Sequence, residues 1–330
     1  MDKLSDDYFL SLEKSGFVTK MKIFRCDKSK LTLGFVSDNY NGFILPNLTS
    51  LKIVDKSIEI QKTLKELFGL NNICSKIKEI DLSNTGLIDN GMFRFTKNIS
   101  LFNNLESINL ENTKITTYSQ KYFKQIQKQK IKIIINEKKL QPRFRKKVYR
   151  ISLGGSTIAG KTCYSIAYFC KKFSLDMLRT IGIDKSEIKY SKFENTKFII
   201  WDTCGWNGRF DSIVQKNIFN SDGIILLFDL SQKKDFDDLP YCIRMISDYF
   251  EFEEFPVLLV GNKADLEKQV KQEEIDELLA KEKFIKYFEV SCKNLTNVDE
   301  SFNYIFDYIC EREKAFPIFE NKTEKKKKKK

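Results

Sequence analysis

The chain has 330 residues, 42% apolar and 13% aromatic, enough to bury more than one core, so a disordered class is excluded and two domains are expected. Lys and Arg outnumber Asp and Glu by 57 to 45, a net charge of +12, but the run Lys325–Lys330 supplies six of those charges. Histidine is absent, which excludes His-based acid–base catalysis and His–metal sites. Phosphate chemistry, which works through backbone N–H groups, lysine and Mg²⁺, remains a natural candidate.

No apolar run approaches the ~18 residues of a membrane span. The N-terminus, Met1 to Leu10, carries acidic residues where a secretory signal would be basic and then apolar. The eight cysteines are scattered singly and read as core thiols of a reducing compartment, so a cytoplasmic location is expected. A basic cluster at Arg143, Arg145, Lys146, Lys147 and Arg150 brings no nucleic-acid-binding pattern, and no nucleic-acid partner is expected.

In chain order, the first ~140 residues carry a repeat. Ile77-x-x-Ile80-x-Leu82-x-x-Thr85-x-Leu87 returns as Leu105-x-x-Ile108-x-Leu110-x-x-Thr113-x-Ile115, 28 residues later. Weaker copies stand at Leu48-x-x-Leu51-x-Ile53 and Met21-x-Ile23, and a degraded one at Ile133-x-Ile135. Between copies lie amphipathic stretches such as Ile60, Leu64 and Leu67. A repeated strand and helix cannot bury its apolar face alone and must stack. This part resembles a leucine-rich repeat solenoid of the longer, helix-containing type. Alternation along the strands then turns Glu79, Asp81, Ser83, Ser107, Asn109 and Glu111 toward a partner-facing surface.

Around Pro142 the repeat stops. Strands are expected at Val148–Leu153, Phe198–Trp201, Gly223–Asp229, Pro256–Gly261 and Tyr287–Val290. A helix is expected over Lys161–Lys172, others between the later strands, and a closing one over Asn297–Glu311. That alternation predicts a mostly parallel sheet covered on both faces.

Gly155-Ser156-Thr157-Ile158-Ala159-Gly160-Lys161-Thr162 satisfies the phosphate-loop pattern G-x-x-x-x-G-K-[ST] between a strand and a helix. The glycines let successive N–H groups wrap phosphate oxygens. Lys161 is expected to bridge the outer phosphates, and the Thr162 hydroxyl to reach Mg²⁺. This motif alone leaves ATP and GTP unresolved.

The remaining motifs resemble the Ras superfamily of small GTPases, most closely its Rab branch, over about residues 147–312. Thr180-Ile-Gly-Ile-Asp184, with Thr180 lying 19 residues beyond Lys161, looks like the first switch. Trp201-Asp202-Thr-Cys-Gly205 looks like the second. Asn262-Lys263-Ala-Asp265 and Ser291-Cys292-Lys293 look like the base-reading motifs. The resemblance implies a P-loop NTPase fold with a doubly wound six-stranded sheet that binds GTP or GDP with Mg²⁺. It implies that Thr180 ligates Mg²⁺, that Asp202 holds it through water, and that the Gly205 N–H touches the γ-phosphate. Cys163 belongs to the same nucleotide-binding set, and Phe173 occupies the place where the family sets an aromatic ring against the base. At Asp265 the physical reason is direct: a carboxylate accepts from guanine N1–H and its amine, donors that adenine lacks in that arrangement.

The pattern also departs from the family. Trp206 stands where a typical member carries the glutamine that orients attacking water, and indole has no acceptor with which to do so. Asn207 is the next candidate, and Gly208 reads as a one-residue insertion. Thr157 and Ile158 replace smaller residues beside the γ-phosphate. Lys185 replaces a phenylalanine after the first switch, and Asn217-Ile218-Phe219 replaces an aromatic signature after the second. Slow hydrolysis, aided by an activating protein, is expected, with an exchange factor as its counterpart. The chain ends in lysines rather than cysteines, so terminal prenylation is not expected. The lysine run is expected to offer weak, salt-sensitive contact with an anionic membrane surface.

The domains expected are a repeat domain at 1–140, a basic linker at 141–146, a GTPase domain at 147–314 and a disordered tail at 315–330. That order resembles Roco-type proteins without their later dimerising domain. Two readings follow: a regulatory GTPase, as in signalling or vesicle trafficking, whose repeats and switches engage protein partners, or an adaptor holding nucleotide permanently.

Overall fold

The computed structural model describes residues 8–12, 20–25, 49–54, 60–69, 74–174, 180, 182–193, 195–206, 208 and 211–317. The chain divides into two compact units. One comprises Met1–Arg143 with Asp248–Glu251, the other Phe144–Ser247 with Phe252–Lys330.

In the first unit six strands lie in sequence order across one sheet: β1 (Tyr8–Leu12), β2 (Lys20–Arg25), β3 (Ser50–Val54), β4 (Glu79–Asp81), β5 (Ser107–Asn109) and β6 (Lys132–Ile134). β1 pairs antiparallel with β2, and the remaining pairs are parallel. The helices α1 (Ile60–Phe68), α2 (Asp89–Lys97) and α3 (Gln120–Gln127) alternate with the later strands. Register stacks Leu51, Ile80, Ile108 and Ile133 in one row. Ile60, Leu64 and Leu67 of α1 are buried against the same core.

The 28-residue offset is matched by local chemistry. Thr85 Oγ1 donates to Leu82 O at 2.7 Å, and Thr113 Oγ1 to Leu110 O at 2.9 Å. Asp81 Oδ1 accepts from the Ser83 N–H, as Asn109 Oδ1 does from the Glu111 N–H. Asn84 and Asn112 both take left-handed backbone (φ 60° and 55°), a conformation asparagine tolerates, and the Asn112 amide donates to Asn84 Oδ1 at 3.1 Å. Among the polar strand residues, Glu79 and Glu111 are exposed, while Asp81, Ser107 and Asn109 are half-buried. Ser83 corrects its expectation: it lies two residues past the end of β4, where strand alternation no longer applies, and is buried. Asp81 is ion-paired with Lys52 of β3, the neighbouring strand, which holds its carboxyl below the usual range against the opposing pull of burial.

The second unit is built on β7 (Val148–Gly154), β8 (Ile183–Tyr190), β9 (Thr196–Thr203), β10 (Gly223–Asp229), β11 (Val257–Asn262) and β12 (Lys286–Glu289). Their order is β12-β11-β10-β7-β9-β8, and β8 alone runs antiparallel, against β9. Its helices are α4 (Lys161–Cys170), α5 (Asp211–Asn220), α6 (Lys233–Asp237), α7 (Leu239–Ser247), α8 (Gln272–Lys281) and α9 (Val298–Glu313). The central strands β10 and β11 are buried along their whole length, as a doubly covered parallel sheet requires. One face packs an aromatic cluster in which Phe198 stacks on Phe306 at 4.1 Å and Tyr164 on Phe302 at 4.5 Å.

Helix α4 ends two residues earlier than expected, where Lys171 turns left-handed (φ 53°). β8 has no counterpart among the expected strands. At the expected linker, the Thr117 N–H donates to Gln141 O, and the Arg145 N–H to Pro317 O. The lysine run at 325–330 lies outside the described residues. No described helix is long and apolar enough to cross a membrane. The seven described cysteines are all free thiols.

Candidate functional site

The carboxyl ends of β9 and β11 and the segments after β7 and β12 line a cavity of about 410 Å³, the place where ligands bind in open α/β sheets. Its wall includes Thr157, Ile158, Gly160, Lys161, Thr162, Cys163, Phe173, Thr180, Gly205, Asn262, Lys263, Asp265, Cys292 and Lys293. Three wall residues were not singled out by the motifs: Ser174, Thr203 and Leu266. Each follows a named site residue by one position, and Thr203 stands inside the motif Trp201–Gly205.

The loop from Gly155 to Gly160 links β7 to α4. Gly155 has φ +123°, and a Cβ there would lie 2.1 Å from Leu227 O, so only glycine fits. The Ser156 hydroxyl accepts the Ile158 N–H at 3.1 Å, which fixes the curve of the loop. Ala159 is fully buried behind it, and its carbonyl accepts from Asn262 Nδ2 at 2.9 Å. Gly155, Ser156 and Ala159 therefore shape the loop from behind the wall. Lys161 is buried, and its ammonium donates to the carbonyls of Gly155 (3.0 Å) and Ser156 (2.5 Å). Burial pulls its pKa below the ordinary lysine value, while the nearby Asp202 carboxylate opposes that shift.

At the loop end of the cavity three oxygen-bearing side chains converge. Thr162 Oγ1 donates to Asp202 Oδ2 at 2.6 Å and lies 2.8 Å from Thr180 Oγ1. Thr180 Oγ1 is itself 3.3 Å from the same carboxylate oxygen. Asp202 Oδ1 is buried and has no hydrogen-bond partner among the described residues. Burial raises the Asp202 pKa, and the Thr162 bond and Lys161 oppose the rise. A hard divalent cation takes oxygen ligands of this kind, and an orphaned carboxylate oxygen is the donor such an ion would satisfy. The residues present fit Mg²⁺.

At the other end lies the turn after β11. Asn262 Oδ1 accepts the Lys263 N–H at 2.8 Å, and the Cys292 thiol lies 3.2 Å from the same oxygen. The Lys263 ammonium pairs with the buried Asp229 at 2.6 Å, which holds its stem along the cavity. Ser291 Oγ donates to Asp265 Oδ1 at 2.6 Å and accepts the Asn294 N–H at 3.1 Å. One oxygen of Asp265 is thus anchored, which fixes the carboxylate plane. Burial pushes the Cys292 thiol up to about 12 and raises that of Cys163 as well.

Trp206 is turned away from the cavity, 3% exposed, with its indole N–H donating to Thr203 Oγ1 at 2.9 Å. Thr157 reaches toward the second switch, and Ile158 is half exposed at the rim. Asn207, the expected substitute for the missing glutamine, lies outside the described residues.

Half of the chain is similar to known proteins. Residues 150–311 match the profile described as Ras family. The Ras-related protein SEC4 of Saccharomyces cerevisiae is 32% identical over 166 residues, covering 50% of this chain and 76% of the relative. Rab-13 of Rattus norvegicus is 34% identical over 158 residues, 47% and 77% of the two chains, and human Rab-3A is 31% identical over 167, 50% and 75%.

Proposed function

The chain belongs to the Ras family of small GTPases through residues 150–311, and on that premise we propose a slow, Mg²⁺-dependent GTP switch joined to a repeat module that binds protein. The observation that carries this reading is the division of one cavity. Lys161, Thr162, Thr180 and Asp202 stand at the phosphate end, and Asp265, braced by Ser291, stands at the base end.

In this reading the loop amides and Lys161 hold the phosphates, and Thr162, Thr180 and Asp202 hold Mg²⁺. The bound ion supplies neutralisation of phosphate charge. Asp265 selects guanine by pairing two donors of the base, and Phe173 and Lys263 flank it. Thr180 and the Gly205 N–H report the γ-phosphate, so that its loss releases both switches. Asn207 is the residue we assign to positioning water. Its amide has both donor and acceptor, which Trp206 lacks.

The stacked strands of the first unit, with the Thr85/Thr113 and Asn84/Asn112 correspondences, support a leucine-rich repeat module. Its polar strand face, including Glu79 and Asn109, is the surface we assign to a protein partner. An exchange factor and an activating protein act on the switches. The run Lys325–Lys330 gives weak attraction to anionic membranes on the cytosolic side.

A second reading, a GTP-binding adaptor with impaired turnover, is favoured by one observation: the indole of Trp206 is packed out of the cavity. The decisive assay for the site is displacement of fluorescent GDP by GTP, GDP and ADP, with Mg²⁺ and with EDTA. GTP and GDP should compete at least a hundredfold better than ADP, and EDTA should weaken both. Equal competition by ADP would remove the guanine assignment.

A further inference from the structure

Residues 203–206 are held at nearly every point. Thr203 Oγ1 donates to Leu153 O at 2.7 Å, the Cys204 N–H to Gly182 O at 3.0 Å, and the Trp206 N–H to Gly155 O at 3.0 Å. Gly205 lies between two bonded amides, and its own N–H has no acceptor among the described residues. Its Cα is pressed on the phosphate loop: a Cβ there would sit 2.1 Å from Thr157 Oγ1 and 2.6 Å from Thr157 N.

The Trp206 ring completes the clamp. It fills the space beside Gly154, where an added Cβ would lie 2.6 Å from Cη2 and 2.9 Å from Cζ2. Ring and main chain of this one residue therefore engage Gly154 and Gly155, and through Thr203 they reach Leu153. These are the three residues from which the phosphate loop springs. The absent side chain at Gly154 and the large one at Trp206 are complementary, and the spare Gly205 amide is fixed between them.

The geometry points to Trp206 as a positioning residue that sets how strongly the site distinguishes a nucleoside triphosphate from a diphosphate. It does so by holding the Gly205 N–H where a terminal phosphate oxygen meets it. This deepens the nucleotide-switch reading and rests on it. The tryptophan then serves recognition of the third phosphate, while the base contact assigned to Asp265 and the Mg²⁺ set of Thr162, Thr180 and Asp202 involve no bond to it.

The test is the ratio of dissociation constants for GDP and a non-hydrolysable GTP analogue in Trp206→Ala, Trp206→Phe and Gly154→Ala. Trp206→Ala should weaken the analogue about tenfold or more relative to GDP, the loss of one well-placed amide bond to a charged oxygen. Trp206→Phe, which keeps a ring beside Gly154, should retain the wild-type ratio. Gly154→Ala should displace the ring and copy Trp206→Ala, and the double variant should be no worse than either single one, because both act through one contact. If Trp206→Ala does not fold, Gly154→Ala makes the same test from the other side of the contact. An unchanged ratio overturns the proposal, as does an equal loss for both nucleotides, which would make Trp206 a purely structural anchor. Wild-type protein that binds neither nucleotide overturns the site reading and this proposal with it, a result distinct from an unchanged ratio.

Discussion

Replacing Asp265 with Asn should invert the base preference of the site. Ser291 Oγ already accepts the Asn294 N–H and gives its proton to Asp265 Oδ1. In the variant the amide oxygen keeps that bond, which turns the amide NH₂ into the cavity. Of the two acceptors facing the guanine N1–H and amine, one stays an acceptor and the other becomes a donor facing a donor. A bond to a charged group contributes about 1.5–3 kcal/mol, so losing one costs about that much. That is about a 10- to 150-fold loss of GDP affinity. Xanthine carries a carbonyl where guanine has its amine, and that acceptor matches the new donor. Displacement of fluorescent GDP by GDP and by xanthosine diphosphate reads both effects. A GDP affinity unchanged within about threefold, or no gain for the xanthine nucleotide, would refute the reasoning.

Three further outcomes are expected. Tyr164→Phe should cost only about 1 kcal/mol in denaturant unfolding: Ser301 Oγ gives its own proton to Val298 O, so losing the Tyr164 bond leaves no buried donor stranded. Leu82→Ala, at a fully buried position of the repeat core, should cost about 2–5 kcal/mol by the same measurement; a cost under 1 kcal/mol would contradict the packing described. Alkylation at pH 8 should label exposed Cys170 and spare Cys292. With its thiol pushed up to about 12, roughly one Cys292 in ten thousand is ionised at that pH, and the fraction rises only as pH climbs toward that value. Rapid labelling of Cys292 in the folded protein would count against its burial.

Most of the cavity lining was readable in the sequence because the motifs that supply it are local. Gly155–Thr162 and Asn262–Asp265 each place several functional atoms within one turn, and backbone geometry does the rest. The same holds for Thr85 and Thr113, whose equal positions in the repeat reproduce one hydrogen bond. β8 was not readable. Lys185, Glu187 and Lys189 line its exposed side, so an edge strand carries little apolar signal. Buried Ser83 lies two residues past a three-residue strand, too short for alternation to carry past its end. The seat of Trp206 depends on Gly154, 52 residues away in sequence; only the parallel pairing of β7 with β9 brings them together. An isolated motif could register that the glutamine is missing, but not where the indole goes.

The central claim, a slow GTP switch, is tested most directly by following bound nucleotide. Purified protein would be loaded with GTP and Mg²⁺, sampled over a day, extracted and separated by chromatography. The account predicts steady conversion to GDP, with Lys161→Ala failing to retain nucleotide. GTP that persists unchanged through the day would contradict turnover by this chain and leave the adaptor reading in its place.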